Sequence, residues 1–178
     1  IQTVYNRENG LPGGCANDIA QTADGILWIG TYGGLYRYNG NEFQWMDEFE
    51  SVKTVNCLYT DEEGRLWIGT NDSGLSICIN ETITNVVSEK DGLTADSVRC
   101  ITQSSDGDYY VGTSGAMSIL TLAGGLSVKD TIPEIIYANS IDSDQNGNIA
   151  VVTDEGRLYL IRGKEIPVSY THLTLPTK

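Results

Sequence analysis

The chain has 178 residues, 40% of them hydrophobic, with twenty glycines spread between short, regularly spaced apolar runs, a composition that predicts an all-β domain or part of one. Its formal net charge of −13 argues against nucleic acid or an anionic membrane surface as a partner, because phosphates would be repelled rather than neutralised. No run reaches the roughly 18 apolar residues of a membrane-crossing helix, and the first residues lack a charged region followed by an apolar core, so any targeting segment is expected upstream in a longer protein.

In chain order, Thr3-Val4-Tyr5 reads as a candidate outer strand of a preceding unit, leading into Asn9-Gly10-Leu11-Pro12. A related phrase, Asp91-Gly92-Leu93-Thr94, precedes the third unit described below. The first full unit predicts strands at 16–20, 27–31, 35–38 and 43–45. The second predicts them at 55–59, 66–70, 75–79 and 83–87. The third gives 98–102, 109–113, 117–121 and a weak outer strand at 126–128. The fourth gives 138–142, 149–153, 158–161 and the start of an outer strand at 165–166. The pattern breaks at Val168, and residues 168–178, with the sole histidine His172, resemble the translation of a sequencing adapter. They are expected to be a non-native tail.

Each unit turns at Asp24-Gly25, Glu63-Gly64, Asp106-Gly107 or Asn146-Gly147, dipeptides that supply the positive φ a tight hairpin requires. The turn glycines lie 39 (25 to 64), 43 (64 to 107) and 40 (107 to 147) residues apart, the period of a four-stranded propeller blade. The expected fold is therefore a partial β-propeller of about four blades, each of four antiparallel strands. Its divisions are a lead-in at 1–15, blades at 16–54, 55–97 and 98–137, and an incomplete blade at 138–167. Four blades are the lower limit for closure, so the sequence predicts an open arc with an unpaired outer edge, marginal or aggregation-prone when expressed alone.

After each turn comes an apolar strand: Leu27-Trp28-Ile29-Gly30-Thr31, Leu66-Trp67-Ile68-Gly69-Thr70, Tyr109-Tyr110-Val111-Gly112-Thr113, and the degenerate Ile149-Ala150-Val151-Val152-Thr153. Being apolar on both faces, these strands suit a place between neighbouring blades. Trp28, Trp67 and Tyr110 share a phase and are expected to pack between blades; a carbohydrate-stacking platform is the alternative. The glycine two positions later is expected to allow close approach. Cys15, Cys57, Cys78 and Cys100 show no metal-ligand spacing and are expected as small, buried, unpaired thiols; a disulfide between Cys57 and Cys100, which share a phase, is the alternative.

The repeat resembles the two-component regulator propeller unit, on Gly10-Leu11-Pro12, Ile19, Asp24-Gly25, Leu27 to Thr31, Gly34-Leu35 and Arg37-Tyr38-Asn39-Gly40. A second copy runs from Asp61 to Gly74-Leu75. The resemblance implies an extracytoplasmic sensor module of a membrane receptor, at the periplasmic or cell-surface side. It also implies an output domain elsewhere, a histidine kinase or a diguanylate cyclase, and leaves room for a homodimer or an adjacent sensor domain as partner.

Two sets of polar residues fall on one face of such a propeller. Asn17, Asn56, Arg99 and Asn139 all stand eight residues before their turn glycines, and Tyr32, Asn71, Ser114 and Asp154 directly follow the repeated threonine. Together they form a candidate ring for a small polar ligand, carbohydrate among them, with Arg99 suited to a carboxylate; the competing reading is that the asparagines cap turns. Asp142, Asp144 and Asn146 imitate the opening of a calcium loop, but the twelfth position is Thr153 rather than glutamate, so a plain turn is expected. Neither metal nor cofactor is expected. With no histidine in the credible chain and no nucleophile motif, an enzyme is the weaker class; a ligand-free structural spacer is the other alternative, and a propeller lyase or lactonase the least favoured.

Overall fold

The computed structural model describes residues 2–11 and 15–170, so Pro12 and residues 171–178, including His172, lie outside it. The described residues form four sheets of four strands. The first contains β1 (Ala16–Gln21), β2 (Leu27–Thr31), β3 (Gly34–Tyr38) and β4 (Phe43–Trp45). The second contains β5 (Val55–Thr60), β6 (Leu66–Thr70), β7 (Leu75–Ile79) and β8 (Thr82–Val87). β9 (Val98–Gln103), β10 (Tyr109–Thr113), β11 (Ala116–Thr121) and β12 (Ser127–Ile136) form the third. β13 (Ala138–Ser143), β14 (Ile149–Thr153), β15 (Leu158–Arg162) and β16 (Glu165–Tyr170) form the fourth. Each sheet is a meander in chain order, because short hairpins join only antiparallel neighbours. The inner hairpins turn at Gly25, Gly64, Gly107 and Gly147 with φ of 85°, 80°, 89° and 80°, a left-handed conformation that glycine enters without steric cost.

The inner strands β1, β5, β9 and β13 neighbour one another in sequence order, which stacks the sheets as blades of an open arc. The core is correspondingly divided among three seams. Trp28, Leu35, Leu58, Leu66, Ile68 and Cys78 fill the first. Trp67, Leu75, Val98, Ile101, Tyr109 and Leu120 belong to the second. Tyr110, Ile132, Ile135, Ile149, Val151 and Ile161 belong to the third. The aromatic stripe is thus packing material: Trp28, Trp67 and Tyr110 are all buried, and Trp67 stacks on Tyr109 at 3.9 Å between ring centroids.

The repeated glycine of the second strand is a socket. A Cβ on Gly30 would stand 2.5 Å from Val55 Cγ1, one on Gly69 would stand 2.7 Å from Val98 Cγ1, and one on Gly112 would stand 2.7 Å from Ala138 Cβ. In each case the first residue of the next blade's inner strand is an obstacle, and at Gly69 and Gly112 the sulfurs of Cys57 and Cys100 on the same blade stand closer still. The second seam also holds a polar knot. The side chain of Asp61, buried at the inner turn of the second blade, accepts hydrogen bonds from Trp67 Nε1 (2.8 Å), Arg65 Nε (2.6 Å) and Tyr109 Oη (3.0 Å).

Three segments differ from the sequence expectation. Thr3–Tyr5 forms no strand: no neighbour pairs with it, and Tyr5 packs instead on Tyr38 and Phe43, ahead of a 3-10 turn at Arg7–Asn9. The weak strand at 126–128 is ten residues long, β12, and two irregularities in its pairing with β11 break the alternation that would have marked it; it carries Pro133, which an outer strand tolerates, and it buries Ile132 and Ile135 in the third seam. Residues 168–170, placed in the tail by the sequence, continue β16, with Val168 opposite Leu160 and Tyr170 opposite Leu158.

All four cysteines are free. Burial pushes the thiol of Cys57 well up, Cys78 up to about 11 and Cys100 up to about 12, so these three are poor thiolates. With a thiol-specific reagent at neutral pH, one equivalent is expected to react at once, at exposed Cys15, and three more only on unfolding. Rapid labelling of more than one thiol in the native chain would contradict the seam packing.

Candidate functional site: the polar cleft at the axis

The innermost strands carry a shared irregularity. Ala16 pairs with Thr31, Val55 with Thr70, Val98 with Thr113 and Ala138 with Thr153, and in every blade the next residue is skipped by the ladder. The skipped residues are Asn17, Asn56, Arg99 and Asn139. A bulge re-aims the side chain it carries, and these four are turned out of the sheet plane toward the arc's interior. There Asn17, Tyr32, Asn56, Asn71, Arg99 and Asn139 line one cleft of about 510 Å³, with Ala16 and Ser97 completing its wall.

The cleft brings together six of the eight residues proposed from sequence. Ser114 and Asp154 do not line it. The backbone N–H of Ser114 donates to the Ser97 carbonyl (2.9 Å), while Asp154 reaches the cleft through an ion pair with Arg99. Ser97 was not anticipated, although its place directly before the inner strand, equivalent to Thr54 and Tyr137, was available as a signal.

Much of the hydrogen-bonding capacity is already committed. Asn17 Nδ2 donates to the Val55 carbonyl (2.7 Å) and Asn56 Nδ2 to the Val98 carbonyl (3.0 Å), each latching one blade to the next. Arg99 crosses the third seam: Nη1 lies 2.7 Å from Asp154 Oδ2, and Nη2 donates to Asp154 Oδ1 (3.1 Å) and Asn139 Oδ1 (3.4 Å). The one cation of the ring is therefore paired by a neighbouring carboxylate. Among the described residues, the Asn17 and Asn56 side-chain carbonyl oxygens, the Asn71 and Asn139 amide nitrogens and the Tyr32 hydroxyl of the cleft residues have no side-chain or backbone partner, an uncharged mixture of donors and acceptors.

The calcium-like stretch folds as a turn. Asp144 Oδ1 accepts from the backbone N–H of Asn146 and Asn148, and Oδ2 from Asn148 Nδ2. Asp142 Oδ1 is held by the Ser143 N–H, so these carboxylates cap their own backbone rather than converging. Among the described residues no group of three or more His, Cys, Asp or Glu side chains is placed to hold a metal, and no helix is long and apolar enough to cross a membrane.

Residues 10–33, 50–72 and 92–115 match the two component regulator propeller family. No curated protein matches the chain. Among solved structures, it is similar to one described as the extracellular domain of the hybrid two component system BT4673 of B. thetaiotaomicron, with a TM-score of 0.74 at 15% identity over 94% of this chain and 26% of that one. The corresponding domain of BT3049 from the same organism gives a TM-score of 0.52 at 19% identity over 95% of this chain and 30% of that one. The WD40 β-propeller domain of Doa1 gives 0.68 at 17% identity over 84% and 51%. The chain spans about a quarter of the length of the BT4673 structures, and at these identities the likeness is one of fold. Motif, period and the four-stranded sheets agree: the chain is a propeller arc, and three of its segments match the two component regulator propeller repeat.

Proposed function

We propose that this chain is part of the sensor propeller of a bacterial signal-transduction receptor, on the extracytoplasmic side of a membrane, and that it binds a small polar ligand in the axial cleft. Occupancy would be relayed to an output domain elsewhere in the receptor, and the arc itself performs no catalysis. The observation that carries this reading is the convergence of polar side chains from all four blades on one cleft, delivered by a bulge repeated in every inner strand. A small number of converging polar groups in a concave site is the usual means of fixing a ligand's orientation. Because Asp154 already holds Arg99, a carboxylate ligand would have to displace it, whereas an uncharged polyhydroxyl ligand such as a neutral sugar need not.

Thermal unfolding in the presence of neutral saccharides and of their carboxylate-bearing counterparts tests the proposal. A saturable stabilisation is expected from a neutral member, about 2.7 kcal/mol at a hundredfold excess over Kd. Asn71→Ala, which removes only the long hydrogen bond from Ser97 Oγ (3.5 Å), should abolish that stabilisation while leaving the ligand-free transition within about 0.5 kcal/mol. No stabilisation by any member would favour a ligand-free spacer.

A further inference from the structure

The loop joining the second and third strands is fastened in one way in three blades and in another way in the fourth. Thr31 Oγ1 accepts from the Gly33 N–H (3.0 Å) and donates to the Gly34 carbonyl (3.0 Å). Thr70 Oγ1 makes the same two bonds with the Ser73 N–H (2.9 Å) and the Gly74 carbonyl (2.8 Å), and Thr113 Oγ1 with the Gly115 N–H (3.0 Å) and the Ala116 carbonyl (3.1 Å). The fourth repeat of this threonine is Thr153, only 5% exposed, and among the described residues its hydroxyl has no partner. The Gly156 N–H, counterpart of the Ser73 N–H, donates to the Thr153 backbone carbonyl instead (2.9 Å). Each clamp closes within its own blade, so its loss at Thr153 does not depend on what lies beyond the fourth blade.

A second irregularity adjoins the first. The Asp154 N–H donates to the Tyr137 carbonyl (3.1 Å), just as the Asn71 N–H donates to Thr54 (3.0 Å) and the Ser114 N–H to Ser97 (2.9 Å). Thr54 and Ser97 hold this place at negative φ, but Tyr137 has φ of 51°, a left-handed conformation that a bulky residue rarely enters. An orphaned buried hydroxyl and a bulky residue at positive φ each raise the free energy of the observed arrangement. Both bear on the 154–157 loop.

In place of the clamp the loop has a clasp across the third seam. Of Tyr32, Asn71, Ser114 and Asp154, the residues that follow the repeated threonine, only Asp154 is charged, and Arg99 is the one cation of the axial ring. The two side chains meet fork to fork, Nη1 2.7 Å from Oδ2 and Nη2 3.1 Å from Oδ1, so that the carboxylate engages both guanidinium nitrogens. Both are partly exposed, Arg99 26% and Asp154 42%, which leaves the pair open to competition from solutes in the cleft.

We propose that this pair is a switch within the axial cleft: a carboxylate-bearing saccharide takes Arg99 from Asp154 and thereby releases the 154–157 loop. One carboxylate replaces another on the same guanidinium, and Asp154 passes to water. Because such a ligand gains Arg99 only when Asp154 has left it, it binds the open state better than the closed one, the difference in affinity that a conformational change requires. A neutral ligand fills the cleft with the clasp closed, so the two ligand classes are told apart by the state in which they leave the loop. The inference rests on the axial cleft as the ligand site.

Hydrogen exchange of the 178-residue chain tests it, read on a peptide covering 152–158, with peptides covering the clamped loops at 69–75 and 112–117 as controls. Glucuronate and galacturonate serve as acidic probes, glucose and galactose as neutral ones. At least one uronate should speed exchange at 152–158 about fivefold, the factor that a well-formed, partly exposed ion pair is worth, while the neutral sugars and the control peptides show no such change. Arg99→Gln should give the faster exchange without any probe and abolish the response. Asp154→Asn, which frees Arg99 without removing it, should likewise open the loop and tighten uronate binding about fivefold. Unchanged exchange at 152–158 in both variants would overturn the clasp, and a wild-type loop indifferent to both uronates would overturn the exchange of carboxylates. Neither result alters the stabilisation by a neutral saccharide that depends on Asn71, so failure of the switch is distinguishable from failure of the ligand site.

Discussion

Replacing Asp61 by alanine is expected to cost about 3–5 kcal/mol, the range seen when one partner is removed from a buried ion pair. Its side chain is fully buried, while that of Arg65 is 23% exposed. Removal would leave Trp67 Nε1 without its acceptor and Arg65 without its buried counter-charge, with only the exposed Glu63 still paired to it. Equilibrium urea unfolding should show the loss as a lower midpoint with an unchanged slope; a loss below about 1 kcal/mol would mean that the knot contributes nothing beyond packing. Burial opposes ionisation of Asp61, but hydrogen bonds from Trp67 and Arg65 and the charge of Arg65 outweigh it, holding the carboxyl below its usual value. A depressed folded pKa means that the stabilisation is fully present above the unfolded value of about 3.9 and is lost as pH falls through the folded value. Stability of the wild type should therefore decline below about pH 4, and Asp61→Asn should remove that component of the decline.

Gly69→Val is expected to destabilise by about 1–3 kcal/mol or more, because an added side chain cannot fit a packed interior without moving its neighbours. The position is closed by Cys57 on its own blade and by Val98 on the next. The natural Val152, at the equivalent place on the fourth blade and opposite Ser140 rather than a cysteine, shows that the strand itself accepts valine and that the obstacle at Gly69 is Cys57 together with the adjoining blade. Val152→Gly should accordingly cost no more than about 1 kcal/mol, the conformational penalty of glycine in a strand. Equal losses for the two substitutions, read from the same unfolding curves, would mean that backbone preference rather than the socket decides.

Both experiments reach across the second seam, from Asp61 to Tyr109 and from Gly69 to Val98, and the boundary of what could be read from sequence falls there. Asp24-Gly25 and its three counterparts announced the inner turns, because a positive φ is a demand on one residue that glycine alone meets cheaply. The second strands were legible because being apolar on both faces is a local pattern. Trp28, Trp67 and Tyr110 could be assigned to the seams because their recurrence in phase matched burial on both sides. The phase that located Asn17, Asn56, Arg99 and Asn139 also came from the period alone.

What those residues do there was not legible. The bulge that turns them inward is a property of pairing between two strands. The use of the Asn17 and Asn56 amides as latches, and of Asp154 as the partner of Arg99 55 positions away, depends on how the sheets stack. The ten-residue β12 was hidden because two irregularities break its alternation, leaving a stretch with Pro133 that reads locally as a linker. The period, the turns and the strand that each blade buries are legible in the chain because neighbouring residues and the backbone angles they permit specify each of them. Which polar groups are consumed in holding blades together and which stay unpaired follows from distances between sheets, and no local pattern encodes those.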